Sequence, residues 1–416
     1  MTIKVRKNQF IFDILKQASG TLIAQMFAIV AIPVITRFYT PEQYGEYSIF
    51  VQILMGVSIL LTLRLEHFIV LAESHATANT NLRTIMAIGG CILLLLVLVY
   101  LVGGDWILKF SPVSVDGMTV AVLLGIGLIL SLNCGIEQTL QKRRMFFKSS
   151  VAEAVAKFSF LLLAVLLSMA DFGINGIFAA LCLGYLFKCC FLLFASNGDI
   201  FKGKISFSLK GLLPVRVRAI TLVYSHFLLA FTQLIPFTFI MTNYGKEVMG
   251  QFSLAFSTLN LVATLGALSM SKVYFQRMSE IDRQVDKKAL WNRTFAISLC
   301  IALPVYLLVF LLSGWAYGFI FGDSWEMAGK IATIMVVSSF FEFISRPMES
   351  TSLVLNVWWY TPIWHTLRTT SMVVLTQVVD PATLSFEYFL ILYVAVMSML
   401  FIFDLIVQKL LVLVSK

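Results

Sequence analysis

GTLIAQMFAIVAIPVITR (residues 20–37), followed by FYTPEQYGEY (38–47), holds one helix, a turn and the start of a second helix. From Gly20 to Thr36 there is no charge, and an apolar helix of that length begins to cross a hydrocarbon core ~30 Å thick. Arg37 ends the run. Thr40-Pro41-Glu42 restarts a helix, with Thr40 as N-cap, Pro41 at the first helical position and Glu42 where the helix dipole favours an acid. Gly45 carries no Cβ, so a second helix can approach closely there.

Half a chain later the pattern returns. Pro33 is matched by Pro236, the GEYS of Gly45–Ser48 by the GQFS of Gly250–Ser253, and Arg83-Thr84 by Arg293-Thr294. The chain reads as a duplication.

Of the 416 residues 59% are hydrophobic and 13% charged, which excludes a soluble domain and means membrane. We read twelve helical spans, at 14–37, 44–70, 84–104, 117–139, 150–170, 174–195, 217–242, 248–271, 294–321, 328–353, 359–379 and 386–408. The net charge of +9 is not a nucleic-acid footprint, because the basic residues sit in short loops between spans. Sorted by side, only Arg37, Lys109, Lys246 and Lys330 fall in outward loops. Lys4, Arg6, Lys7, Lys142, Arg143, Arg144, Lys148, Lys202, Lys204, Lys210, Arg216, Arg218, the 272–293 loop, Lys409 and Lys416 all fall inward. That asymmetry places both termini in the cytoplasm. Gly20 opens a full-length span with no cleavage site after a short apolar core, so the amino terminus is not expected to be a cleaved signal.

The longest connection, 197–215, carries Gly198, Gly203, Gly211 and Pro214 among lysines. It divides the chain into six-helix lobes at 1–196 and 216–416. Equal starting orientation implies a pseudo-two-fold axis along the membrane normal, with a cavity between the lobes. The expected class is therefore all-α integral membrane. The six cysteines lie in or beside apolar spans without zinc-ligand spacing, and adjacent Cys189-Cys190 do not read as a disulfide. No P-loop, metal constellation, cofactor motif or catalytic triad is present.

An ionisable group inside a span costs about 2.5–3.5 kcal/mol, so each one is a functional candidate. Glu342 and Arg346 lie four apart on one helical face, where an acid N-terminal to a base pairs well. Pro347 loosens the helix beside them. Arg368, deep in the next span beyond Trp364 and His365, is a candidate phosphate contact. His365 reads as a packing residue. Lys16, Arg37, Arg64 and Lys157 complete the candidate cavity cations, although Lys16 can equally snorkel to the inner surface. Lys188 lies near enough to its span's inner end to do the same. Glu342, Glu66 and Asp404 are the candidate ion-coupling carboxylates. Two residues apart on a helix, Arg64 and Glu66 face different ways and are not expected to pair. Deep cations without an enzyme motif describe a secondary transporter of an anionic substrate.

Ser19-Gly20-Thr21, Pro33, Thr36-Arg37, Tyr39, Pro41-Glu42, Tyr44-Gly45, Tyr47 and Arg64-Leu65-Glu66 together resemble the opening of bacterial polysaccharide flippases. These are the O-antigen and capsule repeat-unit exporters of the multidrug/oligosaccharidyl-lipid/polysaccharide superfamily. The resemblance implies an undecaprenyl-pyrophosphate-linked oligosaccharide as substrate. It would be moved from the cytoplasmic to the periplasmic leaflet of a bacterial inner membrane, with an Arg and a Glu marking the inner end of span two beside the cavity. Membrane lipids and other polysaccharide-assembly membrane proteins are the implied partners. Two other classes stay open: an ion-coupled drug or metabolite exporter of the same superfamily, and a membrane enzyme of polysaccharide assembly, against which the short outward loops argue. Reporter fusions at Lys142–Lys148, Gly203 and Gln284 are expected to read cytoplasmic, and those at Gly104 or Gly245 periplasmic. A periplasmic signal at Gly203 would break both the span count and the division into lobes.

Overall fold

The structure, a computed structural model, describes residues 25–70, 72, 74–108, 117–143, 145–196, 198, 216–281 and 283–414. Lys16 and the connection at 199–215, together with Asn197, lie outside the described residues. The described chain is helical, with no strand. In order, α1 is Gln25–Phe38, α2 Pro41–Thr62, α3 His67–Val70, α4 His75–Leu108, α5 Gly117–Lys142, α6 Phe146–Met169 and α7 Gly173–Ala195. Then follow α8 Arg216–Tyr244, α9 Lys246–Glu280, α10 Gln284–Phe321, α11 Glu326–Ser345, α12 Thr351–Val354, α13 Tyr360–Val378 and α14 Phe386–Val414. Among the described residues ten helices are long and apolar enough to cross a membrane. The short described part of α1 and the polar α13 bring the architecture to the expected twelve. α13 falls short on composition because His365, Arg368 and several threonines interrupt its apolar face.

The chain forms two compact units, one of Met1–Tyr39 with Ile49–Ala230, the other of Thr40–Ser48 with Phe231–Lys416. In the first, α3 to α7 pack around Leu65, Phe68, Ile69, Leu82, Leu140 and Leu192. Tyr39 Oη donates to Ala164 O at 2.8 Å and Ser168 Oγ to Phe38 O at 3.0 Å, which ties the end of α1 to α6. Two lysines close helix ends: Lys142 Nζ donates to Val70 O at 2.9 Å and Lys148 Nζ to Ala195 O at 2.8 Å. Each satisfies a carbonyl that its helix leaves open at the C-terminus.

The second unit begins on the turn at Thr40. Thr40 Oγ1 accepts from Gln43 N at 3.4 Å while Gln43 Oε1 accepts from Thr40 N at 3.1 Å, a reciprocal capping box. The cap expected at Thr40 is therefore present, with Gln43 as its second member. Gly45 and Gly250, the fifth residues of α2 and α9, face each other. A Cβ on Gly45 would overlap Lys246 O and Gly250 N, and one on Gly250 would overlap Pro41 O. Glu46 forms an ion pair with Lys246 beside them. The repeated motifs thus occupy equivalent places in their helices and pack on one another. Gln251 then joins α9 to the start of α11, donating to Ser324 O at 2.6 Å and accepting from Ala328 N at 2.9 Å. Fully buried Trp325 lies edge-on to Tyr44 at 5.6 Å.

Gly250→Ala is expected to force α2 and α9 apart and to destabilise the fold by about 1–3 kcal/mol. Gly90→Ala and Gly314→Ala, where a Cβ meets nothing within 4 Å, should not lower the unfolding temperature in detergent, since alanine favours a helix interior over glycine. Equal unfolding temperatures for all three variants would show that the close approach carries no energy.

Candidate functional site

Pro347 has no backbone N–H to continue α11, and the helix gives way at Ser345 to a single 3-10 turn, Arg346–Met348. The break is held rather than loose. Asp404 on α14, 2% exposed, accepts from Ser345 Oγ at the end of α11, from Tyr360 Oη at the start of α13 at 2.6 Å, and from Gln408 Nε2 at 2.5 Å. Tyr274 Oη on α9 shares a hydrogen bond with Thr351 Oγ1 at 2.8 Å beyond the break. One buried carboxylate thereby fixes the two segments that carry Arg346 and Arg368.

Glu342 and Arg346 pair across one helical turn at 3.6 Å, as their spacing requires. Glu342 and Arg368 line one pocket of this unit with Thr232, Gln233, Asn260, Ser338 and Ser339, closed by Phe256, Met335, Tyr393, Met397 and Phe401. The Arg368 guanidinium lies 5.2 Å from the Phe401 ring centre and 5.7 Å from that of Trp364, close enough for cation–π attraction. Arg346 Nη1 and Arg368 Nε are buried and have no hydrogen-bond partner. His365 is buried, as a packing residue would be.

In the first unit Arg64 and Glu66 do pair, Nη1 to Oε1 at 3.5 Å, contrary to the expectation from helical azimuth. The reason is local. α2 ends at Thr62, and Leu63 and Arg64 adopt left-handed φ of 48° and 52°, so the periodicity that separates residues i and i+2 no longer applies. The span expected at 44–70 is thus a helix, a turn and the short α3. Glu66 is 2% exposed, and its Oε2 and Arg64 Nε have no partner.

Lys188 does not reach a surface. It is 5% exposed and lies 2.6 Å from Glu153 and 3.1 Å from Glu137, while Lys157 lies 3.7 Å from Glu153. Two lysines and two glutamates from α5, α6 and α7 form a charge-balanced cluster, in which Lys157 is a member rather than a lone cation. Arg37 is exposed at the end of α1. Among the described residues no group of three or more His, Cys, Asp or Glu is placed to hold a metal.

Sequence reasoning passed over Glu137, Glu153, His226 and the pocket amides Gln233 and Asn260. Each was visible as a polar residue inside an apolar run, but what it faces is set by the packing of other helices: Lys188 for Glu137 and Glu153, the His67 ring for His226, and the pocket for Gln233 and Asn260.

A sequence model described as "Polysaccharide biosynthesis protein" matches residues 34–330. The chain belongs to that family. The match takes in Arg37, Arg64, Glu66 and Lys157 and stops before the break at Arg346. A comparison with curated protein sequences gives no match. Among solved structures, an inward-facing multidrug resistance MATE family transporter of the MOP superfamily aligns over 96% of this chain and 98% of its own, with TM-score 0.70 and 14% identity. The lipid II flippase MurJ, in an inward closed conformation, aligns over 94% of this chain and 86% of its own, with TM-score 0.70 and 16% identity. A point mutant of the Vibrio cholerae MATE transporter VcmN aligns over 98% of this chain and 97% of its own, with TM-score 0.60 and 13% identity. At such identities the likeness is one of fold, and this polysaccharide biosynthesis protein is a multi-pass membrane protein with that fold.

Removing the charge of Lys188 leaves two glutamates facing each other with Lys157 as the remaining base. Lys188→Met is expected to destabilise the protein by on the order of 3 kcal/mol. Adding Glu137→Gln and Glu153→Gln to it should recover most of that loss in thermal unfolding. A Lys188→Met protein as stable as the parent would show the cluster to be well hydrated.

Proposed function

We propose that this protein is a flippase for an undecaprenyl-pyrophosphate-linked oligosaccharide, moving it from the cytoplasmic to the periplasmic leaflet of a bacterial inner membrane by alternating access. The observation that carries this reading is the pair of guanidinium groups at the break in α11 and on α13, each with a buried N–H that has no acceptor. A cation at membrane depth that its own protein leaves short of acceptors is suited to an anion brought by a ligand. Phosphate oxygens match the guanidinium fork in charge and geometry. Membership in a polysaccharide biosynthesis family supports a glycan on that phosphate.

In this reading Arg346 and Arg368 take pyrophosphate oxygens. The hydroxyls and carboxamides of Thr232, Gln233, Asn260, Ser338 and Ser339 meet sugar hydroxyls, and the lipid tail stays in the bilayer. Arg37, Arg64 and Lys16 serve as further cations along the path, while Lys157, expected from the sequence to be one, is taken up by Glu153. The protein works as two six-helix lobes, 1–196 and 216–416, joined by a cytoplasmic linker at 197–215. Both termini are cytoplasmic, the protein catalyses no covalent step, and O-antigen or other lipopolysaccharide repeat units are the expected cargo. Glu342 is the favoured coupling carboxylate over Glu66 and Asp404. Substrate that takes Arg346 frees Glu342 to bind a proton or sodium ion, so ion and substrate exchange by competition at one side chain.

Arg346→Ala and Arg368→Ala are each expected to lower export by roughly tenfold or more, the loss of a charge-assisted hydrogen bond, while the protein still inserts in the membrane. Lys should rescue only partly, because it lacks the planar fork. Glu342→Gln, assayed alongside, should keep substrate binding and lose the ion dependence of turnover. Normal export by both Ala variants, in cells that depend on the protein for surface polysaccharide, would place the pyrophosphate elsewhere.

A further inference from the structure

The turn that follows α2 carries Arg64, Glu66 and an exposed His67 within four successive residues. In the same unit α8 brings a second imidazole to it. The rings of His67 and His226 lie 6.3 Å apart, centre to centre, with their planes tilted by 34°. His226 Nδ1 sits 2.8 Å from Leu222 O. A carbonyl only accepts, so Nδ1 carries the hydrogen and Nε2 is the nitrogen that takes up a further proton.

Among the described residues the charges around this pair are few, and most are committed. On α5, Lys142 is bonded to Val70 O and Glu137 to Lys188 at 3.1 Å. Beyond α5, Arg143 Nη2 donates to Asn79 Oδ1 on α4 at 3.2 Å, and Arg83 on α4 also has a partner. Of the described charges, the couple on the turn itself, Arg64 and Glu66, acts on both imidazoles. Arg64 is held by Glu66 on one side only, and its Nε has no partner.

We infer that His67 and His226 form a single proton site beside Arg64, loaded together with an anionic group that engages the Arg64 guanidinium. Two imidazolium rings this close to each other and to a guanidinium repel, so the pair holds one proton rather than two. An anion on Arg64 offsets the guanidinium charge and adds attraction for a proton on the rings. By linkage, the proton raises affinity for the anion by the same factor as the anion raises affinity for the proton. In this proposal the proton is taken from bulk water through the His67 ring, which is exposed. This rests on the flippase reading, in which the anion is the pyrophosphate of the lipid-linked substrate. It places a coupling proton on imidazoles of the first unit, a site separate from Glu342.

The chain has four histidines, so full-length protein labelled at histidine Cε1 in nanodiscs gives ring signals that single substitutions assign. The His67 ring is expected to titrate in two steps about two pH units apart, and His226→Gln should collapse these to one. A single-step His67 titration that His226→Gln leaves unmoved overturns the shared site. In the same nanodiscs, undecaprenyl pyrophosphate should bind about tenfold more tightly at pH 6 than at pH 8, and His67→Gln and His226→Gln should each remove that difference. Variants that keep the full pH dependence overturn the link to the anion. Absence of binding by the parent at any pH defeats the flippase reading and the anion link with it, while the ring titration still decides the shared proton.

Discussion

A charge held at membrane depth must find its partner inside the protein, and this chain meets that demand in two distinct ways. Lys188 is closed off: with Glu137, Glu153 and Lys157 it makes a cluster whose charges cancel. Asp404 is closed off as well, by three donors from three places in its unit. Arg346, Arg368 and Arg64 are treated otherwise. Each has some attraction nearby, a carboxylate at 3.5–3.6 Å or an aromatic face, and each keeps a buried N–H without an acceptor. Groups of the first kind hold helices together. Those of the second kind are the groups that the proposed anionic substrate would engage.

Much of the architecture could be seen in the sequence because a bilayer leaves few alternatives. Apolar runs of spanning length had to be helices, and their number followed from counting them against the loop lysines and arginines. Thr40 was recognisable as a cap because capping is local, and Gly45 as a point of close approach because lacking a Cβ has few other uses in a span. Pro347 marked the break in α11 for an equally local reason.

What could not be seen was set by the third dimension or by a departure from periodicity. Lys188 near a span's end looks the same in sequence whether it snorkels or is buried, and only the positions of α5 and α6 decide. His226 gains its meaning from a ring more than a hundred residues away in the chain. Arg64 and Glu66 were misjudged because the helical rule was applied past the point where the helix stops. Nothing in Leu63-Arg64 announces a left-handed turn, since neither residue is one that favours it.

That turn and the break at Pro347 do the same work by different means. In each, a long helix stops, an arginine stands at the stop, and a four-residue helix follows: α3 after Arg64, α12 after Arg346. An arginine in the middle of an unbroken span has only the lateral directions of the helix surface open to it, and its backbone is fully engaged. At a break the backbone direction changes, and the guanidinium can be aimed where helical geometry would not send it. The cost is backbone polar groups without their helical partners, and here neighbouring side chains take some of them up: Lys142 at Val70 O, and Thr62 Oγ1 at Arg64 N at 3.2 Å. A turn merely tolerated by the fold would not need an arginine at its centre. Arginine at both stops, with acceptors still lacking at both, supports the proposed anionic ligand more than either feature does alone.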